Sequence, residues 1–223
     1  MGTRLINVGK RKGPGVDGGE LGWKGRLSYR VGRAAALIPG VHYHRYLILS
    51  QAAARLPAMP RGYSAGPVTP ERLAGRIDAA PEVISYRKAQ GLVPIAAERG
   101  DSLLGVVWLT AAPFDEDEVR VRWVPPPGHA WDTGLWIDPR HRMTRAFATL
   151  WAGAGLWLAG QGLRGSASRI ADYNRTSLAP HLRLGAEILG SVVAAGLGPV
   201  QIATKSADRF TLSRRATIEV AKL

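Results

Sequence analysis

Asp132 lies in the run Ala130-Trp131-Asp132-Thr133-Gly134-Leu135-Trp136-Ile137. A carboxylate dried by Trp131 and Trp136 can act as a general base toward a group that is charged near neutral pH. A surface carboxylate paired with an arginine is the other reading of the same residue. His181 sits in a segment of helical character beside Leu178. An imidazole there can relay a proton near neutral pH, or it can simply pack against its neighbour. His42 and His44 alternate and so share one face of a strand. Two such histidines can begin a metal site, but no third ligand lies at metal-site spacing, so their expected role is structural and no metal is expected. Asp115-Glu116-Asp117-Glu118 is an acidic run in a basic chain. It reads as a solvated turn, able at most to attract a cationic ligand.

Several chemistries are excluded at once. The chain has no cysteine, which removes disulfides, thiolate nucleophiles and cysteine metal sites. It contains no GxxxxGKS phosphate loop, no GxSxG elbow and no HExxH helix. With 223 residues, 46% of them apolar and 21% charged, the chain has an ordinary globular balance. The formal charge of +13 fits a solvated arginine-rich surface or an anionic partner. Only Lys10–Lys12 and Arg214–Arg215 are dense, and that scatter argues against a nucleic-acid module. The N-terminus lacks the apolar core of a secretory signal, and the best apolar window, 146–159, is short of the ~20 residues of a spanning helix. A cytoplasmic protein without membrane insertion is expected.

The elements that must position these residues follow from periodicity and punctuation. Residues 1–40 are glycine-rich and basic, with a short helix over Leu27–Leu37, and Tyr43–Leu49 reads as a strand. Thr69-Pro70-Glu71 is a helix opening, with Thr69 as the cap and Pro70 at the first helical position. A second helix over Glu82–Gln90 stops at Gly91. Strands are expected at Val93–Glu98, Leu103–Leu109, Glu118–Val124 and Ala130–Ile137. Met143, Phe147, Leu150, Trp151, Ala154, Trp157 and Leu158 form one stripe of a long helix. A strand over Leu163–Ile170, a short helix over Asn174–Leu184 ended by Gly185, and a terminal strand pair at Ala186–Val193 and Pro199–Thr204 complete the order. Pro180 is tolerable only in a first helical turn, so that helix could begin as late as Ser177.

From about Tyr63 to Thr204 this order resembles the GNAT (Gcn5-related N-acetyltransferase) fold. The closest match is Asn174-Arg175-Thr176-Ser177-Leu178-Ala179-Pro180-His181-Leu182-Arg183-Leu184-Gly185-Ala186. Family members often carry an asparagine, an aromatic residue seven positions on, and a basic-Leu-Gly-Phe ending. A second match is Ile137-Asp138-Pro139-Arg140-His141-Arg142-Met143-Thr144-Arg145-Ala146-Phe147. In the family a glycine-rich turn here leads into the long helix, and its backbone N–H groups hold the CoA pyrophosphate. Pro139 and Arg142 fit that pattern, whereas Met143 and Arg145 replace its glycines.

The resemblance implies a mixed α/β domain, with a twisted, mostly antiparallel sheet splayed between two central strands and flanked by helices. It places this domain at 61–223, with 1–60 as an N-terminal extension packing on it, whose first ~20 residues are expected to be flexible. It implies an N-acyltransferase that moves acetyl or a longer, even fatty, acyl group to an amine of a small molecule or peptide. The thioester donor would be acyl-CoA or acyl-phosphopantetheine on an acidic acyl carrier protein. Asp132, Tyr173 and His181 are the catalytic candidates, with His181 in the usual place of the family's tyrosine acid. Trp136, Ile137, Asp138, Arg142, Met143, Thr144, Arg145, Ala146 and Asn174 are the donor-binding candidates. Asn174 could equally be a plain helix cap. The competing reading is a basic binding protein that kept the fold and lost the activity.

Overall fold

The structure is a computed structural model that describes residues 22–206 and 209–223. The Lys10–Lys12 run and the expected N-terminal arm lie outside the described residues. In chain order the elements are α1 (Trp23–Ala35), β1 (Val41–Ala52), β2 (Ser64–Pro67), α2 (Pro81–Ala89), β3 (Val93–Arg99), β4 (Ser102–Thr110), β5 (Phe114–Asp115), β6 (Val121–Val124), β7 (His129–Ile137), α3 (Ala146–Gly160), β8 (Gly165–Ala171), α4 (Arg175–Arg183), β9 (Glu187–Leu197), β10 (Val200–Ser206), β11 (Arg209–Ser213) and β12 (Ala216–Glu219). This is a mixed α/β fold with mostly antiparallel pairing, as expected. β7 pairs with β8 and β6 with β12 in parallel.

The chain divides into two compact units. One comprises the described residues up to Ser50, Asp115–Val124 and Arg169–Leu223, and the other Gln51–Phe114 and Pro125–Ser168. This division does not follow a break near residue 60. Val41–Ser50 lies in β1, which pairs antiparallel with β9 from Val41↔Leu197 to Ser50↔Glu187.

In the second unit the strand order is β2-β3-β4-β7, with the start of β8 beside β7. Helix α3 packs across β2, β3 and β4. Its buried stripe is Leu150, Trp151, Ala154 and Leu158, with Gly153 so close to Ala65 that a Cβ there would lie 2.5 Å from the Ala65 Cβ. A small residue at this crossing lets the helix sit directly on the sheet. The sequence stripe was drawn one turn too long. Met143 precedes the helix and is 98% exposed, because the chain is still in turns up to Arg145.

In the first unit β11-β10-β9-β1 are consecutive, and the Asp172 N–H donates to Arg45 O just past the end of β8. The expected terminal strand pair is therefore not terminal, since β11 and β12 follow it. The expected strand over Glu118–Val124 is also shorter, beginning at Val121. The acidic run before it is not a solvated turn. Glu116 is 1% exposed and Asp117 3%. Arg169 Nε binds Glu116 Oε2 at 2.5 Å, Arg169 Nη2 binds Glu118 Oε2 at 2.9 Å, and Trp123 Nε1 donates to Glu116 Oε2 at 3.2 Å. The Arg169 guanidinium also stands 4.4 Å from the centre of the Tyr46 ring, which stacks on His44 at 5.7 Å. Burial pushes the Glu116 carboxyl upward, against the pull of Arg169. Burial, followed by Arg169, lowers His44 to about 4, so its imidazole is neutral.

Two substitutions test these constraints. Glu116→Gln removes one of the two carboxylates that face the buried Arg169, leaving Glu118, and is expected to cost about 1–3 kcal/mol, read as a fall in urea midpoint at constant m. Gly134→Ala is expected to cost at least ~1–3 kcal/mol in the same measurement, because Gly134 has φ +61° and a Cβ there would strike the Arg87 guanidinium.

Candidate functional site

The second unit gathers most of the residues singled out in the sequence. Strand β7 pairs in parallel with β8 from His129↔Gly165 to Trp131↔Ala167, and the ladder stops there. On its other side β7 stays bonded to β4 as far as Gly105↔Ile137, with a bulge opposite Val107, where Val106↔Trp136 is followed by Trp108↔Thr133. Gly134 occupies that bulge in the left-handed conformation. The space beside it is filled by the Arg87 guanidinium, which lies 5.8 Å from the Trp108 ring centre. An end to one ladder and a bulge in the other are what a splay between central strands requires.

Asp132 is the first β7 residue past the end of this ladder. It is 4% exposed, so the reading of it as a surface carboxylate does not hold. No cation pairs with it among the described residues, and its Oδ2 has no hydrogen-bond partner. Burial raises its pKa to about 7, against the opposing pull of the Ser166 and Ser168 hydroxyls on β8. Asp132 is therefore a carboxyl that can take and give a proton at neutral pH. Trp131 beside it is fully buried, while Trp136 further along β7 is only partly so.

The segment after β7 runs through a 3-10 turn, Pro139–His141, into α3. Asp138 caps that turn, its Oδ1 accepting the Arg140 N–H at 2.9 Å and its Oδ2 the Arg140 Nη2 at 2.7 Å. These bonds hold the Asp138 carboxyl at about 2, so it stays charged. Asp138 is thus a capping residue turned toward Arg140. The His141 N–H donates to Asp138 O, the Thr144 N–H to His141 O and the Ala146 N–H to Thr144 Oγ1. The N–H groups of Met143 and Arg145 have no protein acceptor among the described residues. Arg142 and Arg145 are exposed and make no ion pair among those residues. No residue of this segment has a positive φ, so its path does not need the glycines that the family pattern carries. The loop offers an anion unpaired amides at a helix N-terminus, flanked by two guanidinium groups. This donor set fits a pyrophosphate.

Tyr173, Asn174 and His181 lie in the first unit. Asn174 caps α4, its side-chain oxygen accepting the Ser177 N–H at 3.2 Å. Helix α4 begins at Arg175, not at Ser177, and carries Pro180 in its interior. Gly185 follows with φ +81°, the left-handed C-terminal turn read from the sequence. His181 is buried, and its Nδ1 lies 2.7 Å from Ser177 O, one turn back. A ring nitrogen bonded to a carbonyl carries the proton, so Nδ1 is the protonated nitrogen. Burial lowers the His181 pKa and keeps the ring neutral. Tyr173 packs edge-on against Tyr29 at 5.4 Å, and its pKa is raised by burial and by Glu118 and Asp172, so its hydroxyl keeps its proton. His42 and His44 stand 6.2 Å apart, and no group of three metal-ligand side chains forms among the described residues. No described helix is long and apolar enough to cross a membrane. Arg87 was missed in the sequence reading. Its place beside Gly134 depends on a bulge, and no sequence spacing signals that contact.

No protein-family profile and no curated protein matches the chain. Among solved structures, a functionally unknown conserved protein from Staphylococcus epidermidis is similar at 12% identity with a TM-score of 0.51, over 72% of this chain and 63% of that one. A putative GNAT-family acetyltransferase from Novosphingobium aromaticivorans matches at 14% identity and TM-score 0.47, over 72% and 68%. A GCN5-related N-acetyltransferase from Sphaerobacter thermophilus matches at 16% and 0.47, over 76% and 56%. The chain thus spans roughly three fifths of the length of these proteins. The likeness is one of fold: at a TM-score of 0.51 the Staphylococcus epidermidis protein shares this mixed α/β architecture.

Proposed function

We propose that the protein is an N-acyltransferase that moves an acyl group from a thioester directly to an amine. The observation that carries this reading is Asp132, a buried carboxyl with a pKa near 7 placed where β7 parts from β8. An alkylammonium acceptor must lose a proton before it attacks, and a carboxylate with this pKa is suited to receive it. The attacking nitrogen bonds to the carbonyl carbon, the C–S bond breaks, and the sulfur leaves as a thiolate that must be protonated. No covalent enzyme intermediate is needed. Tyr173 is the better candidate acid, because its phenol is protonated at neutral pH. His181, neutral and with its Nδ1 proton given to Ser177 O, suits a structural role in α4.

The loop 138–146 is the proposed cradle for the donor's phosphates, with Arg142, Arg145 and the unpaired amides as ligands. Acyl-CoA is the donor that this charge favours. Acyl-phosphopantetheine on an acidic carrier protein is the alternative, and acetyl or a longer chain the cargo. The acceptor is a small-molecule or peptide amine, and a cytoplasmic setting fits this chemistry. A GNAT-fold binding protein without activity is the competing reading. Thiol release from acetyl-CoA with a panel of amines tells the two apart, since a binding protein releases none.

Asp132→Asn is expected to lower the thiol-release rate by about 10²-fold or more. In the wild type the rate should rise with pH through about 7 as Asp132 loses its proton, and this step should be absent from the variant. Tyr173→Phe should slow release more than His181→Asn; the reverse order would return the acid role to His181.

Stability should follow the same group. The folded pKa of about 7 lies above the ordinary aspartate value of 3.8, so the folded state holds the extra proton between them. Stability is then greatest below about 4, falls as pH rises toward 7, and levels off above it. The full effect is on the order of 4 kcal/mol, from ~1.4 kcal/mol per unit. Urea denaturation across this range should show a slope in the wild type that is largely lost in Asp132→Asn.

A further inference from the structure

Beside the proposed donor loop lies a second feature that the acyl-transfer reading does not use. A cavity of about 180 Å³ is lined by Tyr63, Arg99, Ser102, Leu104, His141 and Thr144, all within the second unit. Its walls come from the end of β3, the start of β4 and the turns before α3. Arg99 holds its guanidinium 5.3 Å from the Tyr63 ring centre, which orients the fork without neutralising it. Arg99 has no carboxylate partner among the described residues. The lining supplies a guanidinium, two hydroxyls from Tyr63 and Ser102, and the His141 imidazole, and it contains no acidic side chain. The neighbouring carboxylate Glu98 is already held by Arg72 at 3.0 Å. A recess walled by donors and positive charge, at the rim of a strongly basic chain, recognises an anion with several acceptor oxygens.

We infer that this cleft binds a phosphate monoester, with Arg99 as the forked ligand and Ser102, Tyr63 and His141 as further donors. His141 and Thr144 belong to both this cleft and the donor loop, so a ligand whose pyrophosphate rests on the loop can place a second phosphate here. This part rests on the acyl-CoA reading. CoA carries such a group, the 3′-phosphate of its ribose, and the phosphopantetheine arm of a carrier protein does not. The cleft would then select free CoA thioesters over a carrier-bound donor. A separate phosphate compound offers the same chemistry, and the experiment separates the two sources.

The test is a titration of the whole chain with inorganic phosphate, followed by the NMR signals of the histidine rings, that of His141 being identified by its loss in His141→Asn. Millimolar phosphate should shift the His141 signal, and Arg99→Gln should weaken that response at least tenfold. Calorimetry with CoA and 3′-dephospho-CoA forms the second arm. CoA should bind at least tenfold tighter, and Arg99→Gln should erase the difference. Phosphate binding in the cleft with equal affinity for the two CoA forms keeps the anion site and makes its source a separate phosphate compound. A His141 signal indifferent to phosphate, or a response unchanged in Arg99→Gln, overturns the proposal. If acetyl-CoA is still turned over in that case, the acyltransferase reading survives without it.

Discussion

The second unit depends on one constraint, that β7 is held by β4 from Trp131 to Ile137 but by β8 only as far as Trp131↔Ala167. A parallel ladder that continued would pair the backbone of Asp132 and the residues after it. Its early end leaves that stretch of β7 bonded on one side. The bulge at Gly134 then takes up the mismatch with β4, and only a residue without a Cβ fits, because φ is positive and Arg87 fills the adjoining space. Asp132 inherits its chemistry from this backbone event. A carboxyl buried next to Trp131, with one oxygen unpartnered, has no reason to be ionised below neutral pH. The raised pKa of Asp132 follows from its burial, which outweighs the Ser166 and Ser168 hydroxyls.

The first unit meets the opposite problem and solves it by pairing. Its segment Asp115–Val124 brings two buried acids into an apolar setting, a costly arrangement without counter-charge. Arg169 supplies that charge to Glu116 from β8, reaching the more exposed Glu118 as well, with its guanidinium over the Tyr46 ring. The same segment is tied at its other end, where Arg120 Nη1 donates to Gly198 O at 2.7 Å and Gln201 Nε2 donates to Arg120 O. Arg215 completes the fastening through Asp115 at 3.0 Å. Arginine suits this task because its fork can satisfy two carboxylates at once and still stack on an aromatic ring.

How much of this was legible depended on whether the cause was local. The order of elements was readable because alternation, helical stripes and glycine or proline stops are local signals. The Asn174 cap and the Gly185 turn were readable for the same reason. The acidic run at 115–118 was misread because its partner, Arg169, lies far along the chain, and spacing within the run carries no trace of it. The Asp132 site was half legible. Its residue type and flanking tryptophans were visible, but its burial and the absence of an arginine partner follow from sheet register. The start of α4 was legible from Asn174; the later start at Ser177 that Pro180 allowed is not taken, since the structure accommodates Pro180 within the helix.

The loop before α3 shows how the missing glycines can be compensated. A glycine-rich turn brings bare backbone close to a phosphate, so recognition there rests on amide groups. In this chain the turn keeps negative φ throughout and still leaves amides unpaired, so the backbone contribution does not require glycine. What the side chains of Met143 and Arg145 take away in close approach, Arg142 and Arg145 can return in charge. Charge acts over a longer distance and falls with salt, within a Debye length of about 8 Å at physiological ionic strength. A donor site built in this way should be less demanding in geometry and more sensitive to ionic strength than a glycine cradle. The same reasoning explains why polar selectivity would move outward from the loop to a walled recess such as the one at Arg99, where donors stand at fixed positions.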